Sequence, residues 1–522
     1  MSAQDRRALT RRAFLGVAAG TGLAGAGWAL GAALLPAEAA GETLTSAVRL
    51  PRPYTVPLPI PPVARPVEPG RYELTQRAAR VEIIPGTTTE VWGFDGVFPG
   101  PTLELRRGSR TTVRIRNELP VPTSTHLHGG VTPDDSDGYP TDLVVAEGRT
   151  FQPSGGMHGH GHHDPAVWTF HSGAKDYVYP VEQRAATLWY HDHRMDFTAP
   201  QVWRGLAGFA IVRDDEEDAL PLPKGERDIP LFICDRAFAE DGSFRYPSLD
   251  PTLLERPGVE DAYMEGVQGD VILVNGAPWP VLEVGTARYR LRLLNGSNAR
   301  RYRLELTGGA RFVQIGSDQG LLAEPVEHTA LTIVPGERFD VVVDFSGFSP
   351  GTEITMVNTL GESPQTRAVM RFRVTSRVRD DSRVPPRLAE LPPADRAAAV
   401  TVRTFDFRRT RHDSGDMWTI NGEPYTPGRP IAEVRLGTTE VWRFTSDFHH
   451  PVHVHLAHFQ VLGRGTRGPE ATDAGLKDTV DVRPYEIVDV LVRFDGYRGR
   501  YMFHCHNLEH EDMAMMADFR IV

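Results

Sequence analysis

Histidines occur in pairs separated by one residue in four short motifs of the chain, and one of these pairs encloses a cysteine. Imidazole and thiolate are ligands that transition metals prefer in proteins. On a β-strand, residues i and i+2 face the same side, so each pair can direct two imidazoles at one point and four pairs can surround a metal cluster. The motifs are His126-Leu-His128, His191-Asp-His193, His450-Pro-Val-His453-Val-His455 and His504-Cys505-His506, with His510 and Met515 downstream of the last.

The position of Cys505 between two histidines predicts two different metal centres. Neighbouring residues of a strand face opposite sides, so Cys505 points away from the side to which His504 and His506 point. A thiolate with two imidazoles and a weak thioether is the ligand set of a blue-copper electron-transfer centre. A structural zinc site usually has more than one cysteine, so the set favours copper over zinc. The candidates for the other ligands of the cysteine's metal are His450, His510 and Met515.

The elements that must position these residues are predicted to be strands. Short runs such as Thr111–Arg116 alternate apolar and polar residues, and the chain has 50 glycines and 42 prolines for the turns between them. A unit of an Asp-Gly or Asn-Gly turn, prolines, a strand, a glycine turn and a second strand occurs three times. The chain is therefore predicted to be all-β, with related domains at 45–215, 225–378 and 400–522 and a linker at 379–399.

The middle repeat differs from the other two in its chemistry. The first and third copies are followed by histidine motifs, whereas the second is followed by Asn298-Ala-Arg-Arg-Tyr-Arg303, which contains no histidine. The middle domain is therefore expected to keep the fold without a site of its own. The metal chemistry is assigned to the first and third domains.

The four motifs together resemble those of the multicopper oxidases, and the resemblance covers essentially the whole chain after the first 40 residues. Within that family the chain is most similar to the branch of bacterial spore-coat laccases, bilirubin oxidase and phenoxazinone synthase. The resemblance implies three cupredoxin-like Greek-key β-sandwich or barrel domains. The other segments that carry it are Phe98-Pro-Gly-Pro-Thr102, Gly205-Leu-Ala-Gly208, Asp228-Ile-Pro-Leu231 and 504–516.

The resemblance also implies four copper ions and the residues that bind them. Because the ligands of the three-copper cluster come from the first and third domains, the cluster is expected at their interface. Asp137 and Glu511 match acidic residues that this branch is thought to use for supplying protons, a role that suits a carboxylate beside reacting oxygen. The implied ligands are His450, Cys505, His510 and Met515 for type 1 copper, His126 and His453 for type 2, and His128, His191, His193, His455, His504 and His506 for the type 3 pair.

The resemblance implies a laccase-like oxidase that takes single electrons from phenols or aminophenols and reduces O2 to water. Alternatives within the family are a cuprous oxidase for copper tolerance and a bilirubin or o-aminophenol oxidase that forms phenoxazinones. The cuprous oxidases usually carry a methionine-rich insertion, but this chain has only the cluster Met513, Met515 and Met516. A copper carrier without turnover would have no use for six type 3 histidines.

The beginning of the chain and its composition bear on location and partners. Arg11-Arg12, followed by a weakly apolar stretch and Ala37-Glu38-Ala39, matches a twin-arginine export signal over residues 1–40, and cleavage is favoured over a retained anchor. The protein is thus expected outside the cytoplasm: extracellular, periplasmic or associated with the cell wall. A net charge of −11 without a basic stripe argues against nucleic acid as a partner.

The remaining histidines and the second cysteine receive weaker assignments. The run that contains His158, His160, His162 and His163 is either a solvated loop, the favoured interpretation, or an additional copper-acquisition site. His449 and His458 are expected to lie beside the ligands or at the surface. Cys234 is expected to be a buried free thiol. No partner is evident in the sequence for His171, His328 or His412.

Overall fold

A computed structural model describes residues 42–153, 165–412 and 415–522. The predicted export signal and the histidines between 158 and 163 lie outside the described residues. The helices of the described ranges are all too short or too polar to span a membrane. Strands dominate the structure and form pairs of sheets in three successive parts of the chain, which confirms the predicted all-β fold of three cupredoxin-like domains. The exact domain boundaries stay predictions.

The first sandwich consists of two four-stranded sheets, with strand orders β3-β2-β5-β9 and β4-β11-β10-β6. Side chains of β5 alternate between buried and partly exposed, as the sequence pattern predicts for a strand with one face on a core. Strand β6, which carries the first histidine pair, lies at the edge of its sheet. This part of the chain contains these eight strands and three others, β1, β7 and β8, that lie outside the two sheets. The strands are β1 (Thr43–Leu44), β2 (Arg71–Val81), β3 (Thr89–Phe94), β4 (Gly100–Arg106), β5 (Thr111–Asn117), β6 (Thr125–His128), β7 (Asp142–Val145), β8 (Thr169–Ser172), β9 (Ala174–Tyr179), β10 (Ala186–Asp192) and β11 (Ala207–Arg213).

The middle sandwich has a seven-stranded sheet, β15-β14-β12-β17-β22-β19-β20, and a five-stranded sheet, β16-β24-β23-β18-β21. Its core continues into the first sandwich, because the ring of Phe232 lies 6.5 Å from Trp189 and 6.2 Å from Phe209. The strands are β12 (Asp228–Arg236), β13 (Gln268–Gly269), β14 (Val271–Val274), β15 (Ala277–Pro278), β16 (Val281–Gly285), β17 (Arg288–Asn295), β18 (Tyr302–Leu306), β19 (Phe312–Ser317), β20 (Gly320–His328), β21 (Ala330–Ile333), β22 (Arg338–Asp344), β23 (Glu353–Asn358) and β24 (Ala368–Ser376).

The third sandwich has two five-stranded sheets, β26-β25-β28-β32-β30 and β27-β34-β33-β29-β31. Its own core contains both Cys505 and Met515. The strands that carry the other two histidine motifs, β29 and β33, are neighbours in the second of these sheets. The strands are β25 (Val402–His412), β26 (Gly415–Ile420), β27 (Pro430–Val434), β28 (Thr439–Ser446), β29 (His450–Val454), β30 (His458–Arg464), β31 (Thr479–Val482), β32 (Ile487–Arg493), β33 (Gly499–Cys505) and β34 (Met516–Ile521).

Short helices connect the sheets, and two of them join the first sandwich to the third. The carboxylate of Asp512 accepts hydrogen bonds of 2.8 Å from the backbone N–H groups of Thr198 and Ala199, at the start of a helix of the first sandwich. The α-helices are α1 (Thr198–Arg204), α2 (Asp215–Ala219), α3 (Pro364–Arg367) and α4 (Leu508–Asp512), and the 3-10 helices are Asp134–Ser136, Pro165–Val167, Gly225–Arg227, Asp261–Tyr263, Arg396–Ala398 and Ala471–Asp473.

A buried group of charges joins the first and middle sandwiches. Arg292 donates to Asp228 at 2.7 Å and to the Thr187 hydroxyl at 3.0 Å, and it forms an ion pair with Glu217 at 3.2 Å. The Arg292 side chain is fully buried. Because Asp228 and Glu217 are withdrawn from water here, the three arginines that neutralise them stabilise the folded chain. They are Arg213, Arg290 and Arg292.

We expect Arg292→Met to lower the free energy of unfolding by about 3–5 kcal/mol, because it removes one cation from a buried group and leaves a negative charge there uncompensated. Urea titration of the metal-free protein measures this change. The matched control is Arg379→Met, because Arg379 pairs with Asp381 at the surface with 86% of its side chain exposed. If the two variants unfold at the same urea concentration, the buried charges do not stabilise this interface.

Candidate metal centres

The first two histidine motifs lie on adjacent strands of the first sandwich. Strands β6 and β10 are antiparallel, and their register places His126 opposite His191. His193 follows one residue after the end of β10, where its N–H donates to the carbonyl of Ser124 at 2.7 Å. This bond continues the extended direction of β10, so His191 and His193 reach the same side.

The other two motifs are paired in the same way in the third sandwich. Strands β29 and β33 are antiparallel, with His453 opposite His504 and Val452 opposite Cys505. His455 and His506 each lie one residue beyond the end of their strand. The predicted pairs are therefore confirmed as neighbours, but three of the four motifs extend past the ends of regular strands.

The eight histidines of the cluster meet where the first and third sandwiches face each other. The Nε2 atoms of His126 and His453 are 3.4 Å apart, and the Nε2 atom of His504 lies 3.3 Å from that of His193 and 3.2 Å from that of His455. Each of the eight side chains is at most 1% exposed. The members of this histidine cluster are His126, His128, His191, His193, His453, His455, His504 and His506.

Hydrogen bonds on the outer side of the rings determine how several of them are oriented. The Nδ1 atoms of His126, His191 and His453 lie 2.6, 2.8 and 2.9 Å from the backbone carbonyls of Asp137, Asp192 and Asp478. A carbonyl only accepts, so these Nδ1 atoms carry the proton and the Nε2 lone pairs face the interior of the cluster. Metal-binding histidines are usually oriented in this way.

The cluster fits a group of bound metal ions. Buried cluster nitrogen atoms without a hydrogen-bond partner among the described residues are Nδ1 of His128 and His193, Nε2 of His191 and both ring nitrogens of His506. Each such atom costs about 1–3 kcal/mol when it is left unsatisfied. Burial lowers the pKa of His191 to about 3 and that of His193 to about 4. These two rings are thus neutral, the form that binds a metal ion.

A second group lies on the opposite side of β33. The Sγ atom of Cys505 is 3.4 Å from Nδ1 of His450 and 3.7 Å from Nδ1 of His510, and the two Nδ1 atoms are 3.1 Å apart. All three side chains are fully buried, as is Met515, whose carbonyl accepts from the Cys505 N–H at 3.1 Å. One thiol and two imidazoles that converge on a point could hold one soft metal ion.

The two predicted carboxylates lie beside the histidine cluster. Asp137 places Oδ2 2.7 Å from Nδ1 of His455, and burial, together with Asp134, raises its pKa well above the usual range. Glu511 places Oε2 3.1 Å from Nδ1 of His504. Both side chains are buried, so each carboxyl group can exchange a proton with the rings or with a molecule bound among them.

Two residues at these centres were missed by the sequence interpretation. Asp478 places Oδ1 3.0 Å from Nε2 of His128, and Trp418 stacks on the ring of His510 with a centroid distance of 3.8 Å. Both approach their histidines from distant parts of the chain, and neither belongs to a histidine motif. No local pattern in the sequence indicates them.

Some predictions for the remaining residues change. His171 lies 2.7 Å from Asp142 and His328 lies 2.8 Å from the side-chain oxygen of Gln314, so both have partners that were not evident in the sequence. Both partners are distant in sequence or on a neighbouring strand, where sequence alone gives no signal. Cys234 is a buried free cysteine, as expected. His458 lies beside the cluster region, 3.4 Å from the carbonyl of Gly129.

Comparison with known proteins agrees with this arrangement. Family models described as multicopper oxidase match residues 76–163, 166–217 and 393–522. The chain is 36% identical to a laccase of Bacillus subtilis (strain 168), over 89% of this chain and 97% of that protein, and 35% identical to a bilirubin oxidase of Albifimbria verrucaria, over 89% and 81%. The crystal structure of a laccase from Pediococcus acidilactici superposes with a TM-score of 0.77 at 30% identity, over 92% of this chain and 96% of that one. The protein therefore belongs to the multicopper oxidase family, the copper-dependent oxidoreductases that use O2 as electron acceptor.

Proposed function

We propose that the protein is a laccase-like oxidase that takes single electrons from phenols or aminophenols and uses four of them to reduce O2 to two waters. The observation that carries the proposal is the position of Cys505. Its side chain belongs to the group with His450 and His510, while its two chain neighbours belong to the histidine cluster. Cys505 of the proposed electron-accepting centre is thus bonded directly, through the backbone, to His504 and His506 of the proposed oxygen-reducing centre.

We further propose that the two groups hold four copper ions. The short distance between Nε2 of His126 and His453 supports a type 2 site with two histidine ligands. His193, His455 and His504 place their nitrogens within 4.8 Å of one another, which supports one type 3 site. The rings of the remaining three histidines lie 5.0 to 5.8 Å apart and supply the other. The proposed ligands are His126 and His453 for type 2; His193, His455 and His504, and His128, His191 and His506, for the type 3 pair; and His450, Cys505, His510 and Met515 for type 1.

The residues around the centres have separate tasks in this reaction. Bound copper supplies one-electron redox chemistry, which the side chains cannot provide. Reduction of O2 to water also consumes four protons, and the carboxyl groups of Asp137 and Glu511 lie 2.7 and 3.1 Å from ring nitrogens of the cluster. Because the cluster side chains are at most 1% exposed, buried carboxyl groups beside them are suitable for proton transfer. The raised pKa of Asp137 keeps a proton available there.

The entry side for electrons is covered by an aromatic ring. His510 is fully buried, and the indole of Trp418, which is 2% exposed, stacks on it. Phenols and aminophenols are the proposed donors. The relatives named laccase and bilirubin oxidase support the same class. Met513 and Met516 are buried in cores, and so they do not form an exposed methionine surface for Cu(I).

We also propose that the protein is exported by the twin-arginine machinery, on the basis of Arg11-Arg12 and the following apolar stretch. The double variant Arg11→Lys, Arg12→Lys should stay in the cytoplasm, whereas the unaltered chain should be recovered outside it. Immunodetection in separated cell fractions measures this. Equal export of both chains would exclude this route.

The copper-loaded protein should be intensely blue and should consume one O2 for every four molecules of a one-electron phenolic donor. Simultaneous oxygen-electrode and absorbance measurements test the ratio, and a panel that contains a phenol, an aminophenol, bilirubin and Cu(I) identifies the preferred donor. Faster turnover of Cu(I) than of any organic donor would replace the proposal by a cuprous oxidase. A colourless copper-loaded protein would contradict the proposed type 1 centre.

Cys505→Ser should remove the blue absorption and nearly all O2 uptake, because the thiolate ligand is lost, while copper remains bound to the histidine cluster. The matched control is Cys234→Ser, the same change at the buried cysteine of the middle sandwich. It should keep the colour and the activity. Retained turnover in the Cys505 variant would show that electrons enter by another route.

Glu511→Gln should slow O2 consumption by about 100-fold or more, within the range that a proton-transferring group contributes, and should leave the blue absorption unchanged. The control is Glu509→Gln, because Glu509 is equally buried but bonds to Tyr246 and Asn298 instead of a cluster histidine. Equal rates for the two variants would rule out proton supply through Glu511.

A further inference from the structure

A tight turn of the middle sandwich contacts the histidine cluster. Gly336 lies between β21 and β22, and a Cβ atom added to it would lie 2.9 Å from Cδ2 of His506 and 3.0 Å from Cε1 of His128. Its φ of +82° also lies in the region that favours glycine. The backbone of the turn therefore packs directly on two rings of the cluster, at a distance that only glycine permits.

Arg338, two residues after this glycine, is fully buried and uses all five of its N–H donors. Its Nε donates to the carbonyl of Thr187 at 2.9 Å, and one N–H of each terminal nitrogen donates to the carbonyls of Gly336 and Asp318 at 2.9 and 3.0 Å. The remaining two N–H groups form a bidentate pair with Asp478 at 2.7 and 2.5 Å. With every donor bonded, the guanidinium has one orientation.

Asp478, fixed in this way, contacts two histidines of the cluster. Its Oδ1 lies 3.0 Å from Nε2 of His128, and its backbone carbonyl lies 2.9 Å from Nδ1 of His453. An ionised carboxylate only accepts hydrogen bonds, so Nε2 of His128 carries the proton. The lone pair of His128 is then on Nδ1, the atom without a partner among the described residues.

We propose that the middle domain, although it supplies none of the proposed ligands, positions the copper cluster through Gly336 and Arg338. Gly336 sets the places of the His128 and His506 rings, and Arg338 holds Asp478, which orients His128. Residues of all three sandwiches thus meet at one ring: His128 from the first, Arg338 from the middle and Asp478 from the third. This inference rests on the proposed cluster and extends it to a domain without ligands.

The first test is Gly336→Ala, with copper content as its readout. The added methyl group displaces His128 and His506, so copper should be lost from the cluster while the blue absorption per chain stays at the wild-type level. The matched control is Gly309→Ala in the same sandwich. Gly309 has a φ of +78°, but a Cβ there would contact nothing within 4 Å. It carries the same backbone strain and should keep all of its copper.

The second test is Arg338→Lys, which keeps the charge but loses the bidentate fork. Removal of a group that orients a metal ligand typically weakens metal binding by about 10- to 100-fold, so dialysis against increasing chelator should remove the cluster copper at correspondingly lower chelator concentrations. The control is Arg290→Lys, whose fork binds Asp340 in the same sandwich away from the histidines. It should release copper at the same chelator concentration as the wild type.

The outcomes separate this inference from the proposed function. If Gly336→Ala and Arg338→Lys both keep wild-type copper content and chelator resistance, or if both controls lose copper equally, the middle domain does not position the cluster. If the wild-type protein binds four coppers but oxidises no phenolic donor, the proposed function fails. The copper measurements on the variants still decide whether the middle domain positions the cluster. Thermal unfolding of the metal-free variants shows whether each chain is folded before copper is added.

Discussion

Eight buried imidazole rings lie close together at the interface of two β-sandwiches. Several of their nitrogens have no hydrogen-bond partner in the described part of the chain, and each such atom opposes folding by about 1–3 kcal/mol. The cores of the three sandwiches must offset this cost before any metal is bound. Two of these cores are continuous with each other, through aromatic contacts between the first and middle sandwiches.

The strands determine which side chains share a centre. In the third sandwich, successive side chains of β33 point to opposite faces, so His504 lies in the histidine cluster and Cys505 lies in the core beside His450. A helix with the same residues would spread them around its axis. The rings are then oriented from outside by backbone carbonyls, such as those of Asp137 and Asp478, which leave the inner nitrogens free. The sheet therefore determines which side chains face each centre, and the surrounding hydrogen bonds determine which ring nitrogen is available to a metal ion.

Much of this could be predicted from sequence because it depends on near neighbours in the chain. The alternation of Thr111–Asn117 and the spacing of His126 and His128 are local properties, and they are confirmed by the structure. The contact of Arg338 with Asp478 joins residues 140 positions apart, and that of Asp478 with His128 joins residues 350 apart. Such contacts depend on how whole sheets are packed, which no short pattern records. The partners of His171 and His328 were missed for the same reason.

The separation of the cluster's halves along the chain also limits when the cluster can exist. His126 and His453, whose Nε2 atoms are 3.4 Å apart, are separated by 327 residues. Until the third sandwich has formed, only four of the eight cluster histidines are in place, so neither the proposed type 2 site nor either type 3 site has its full set of ligands. The complete cluster therefore exists only in the finished fold.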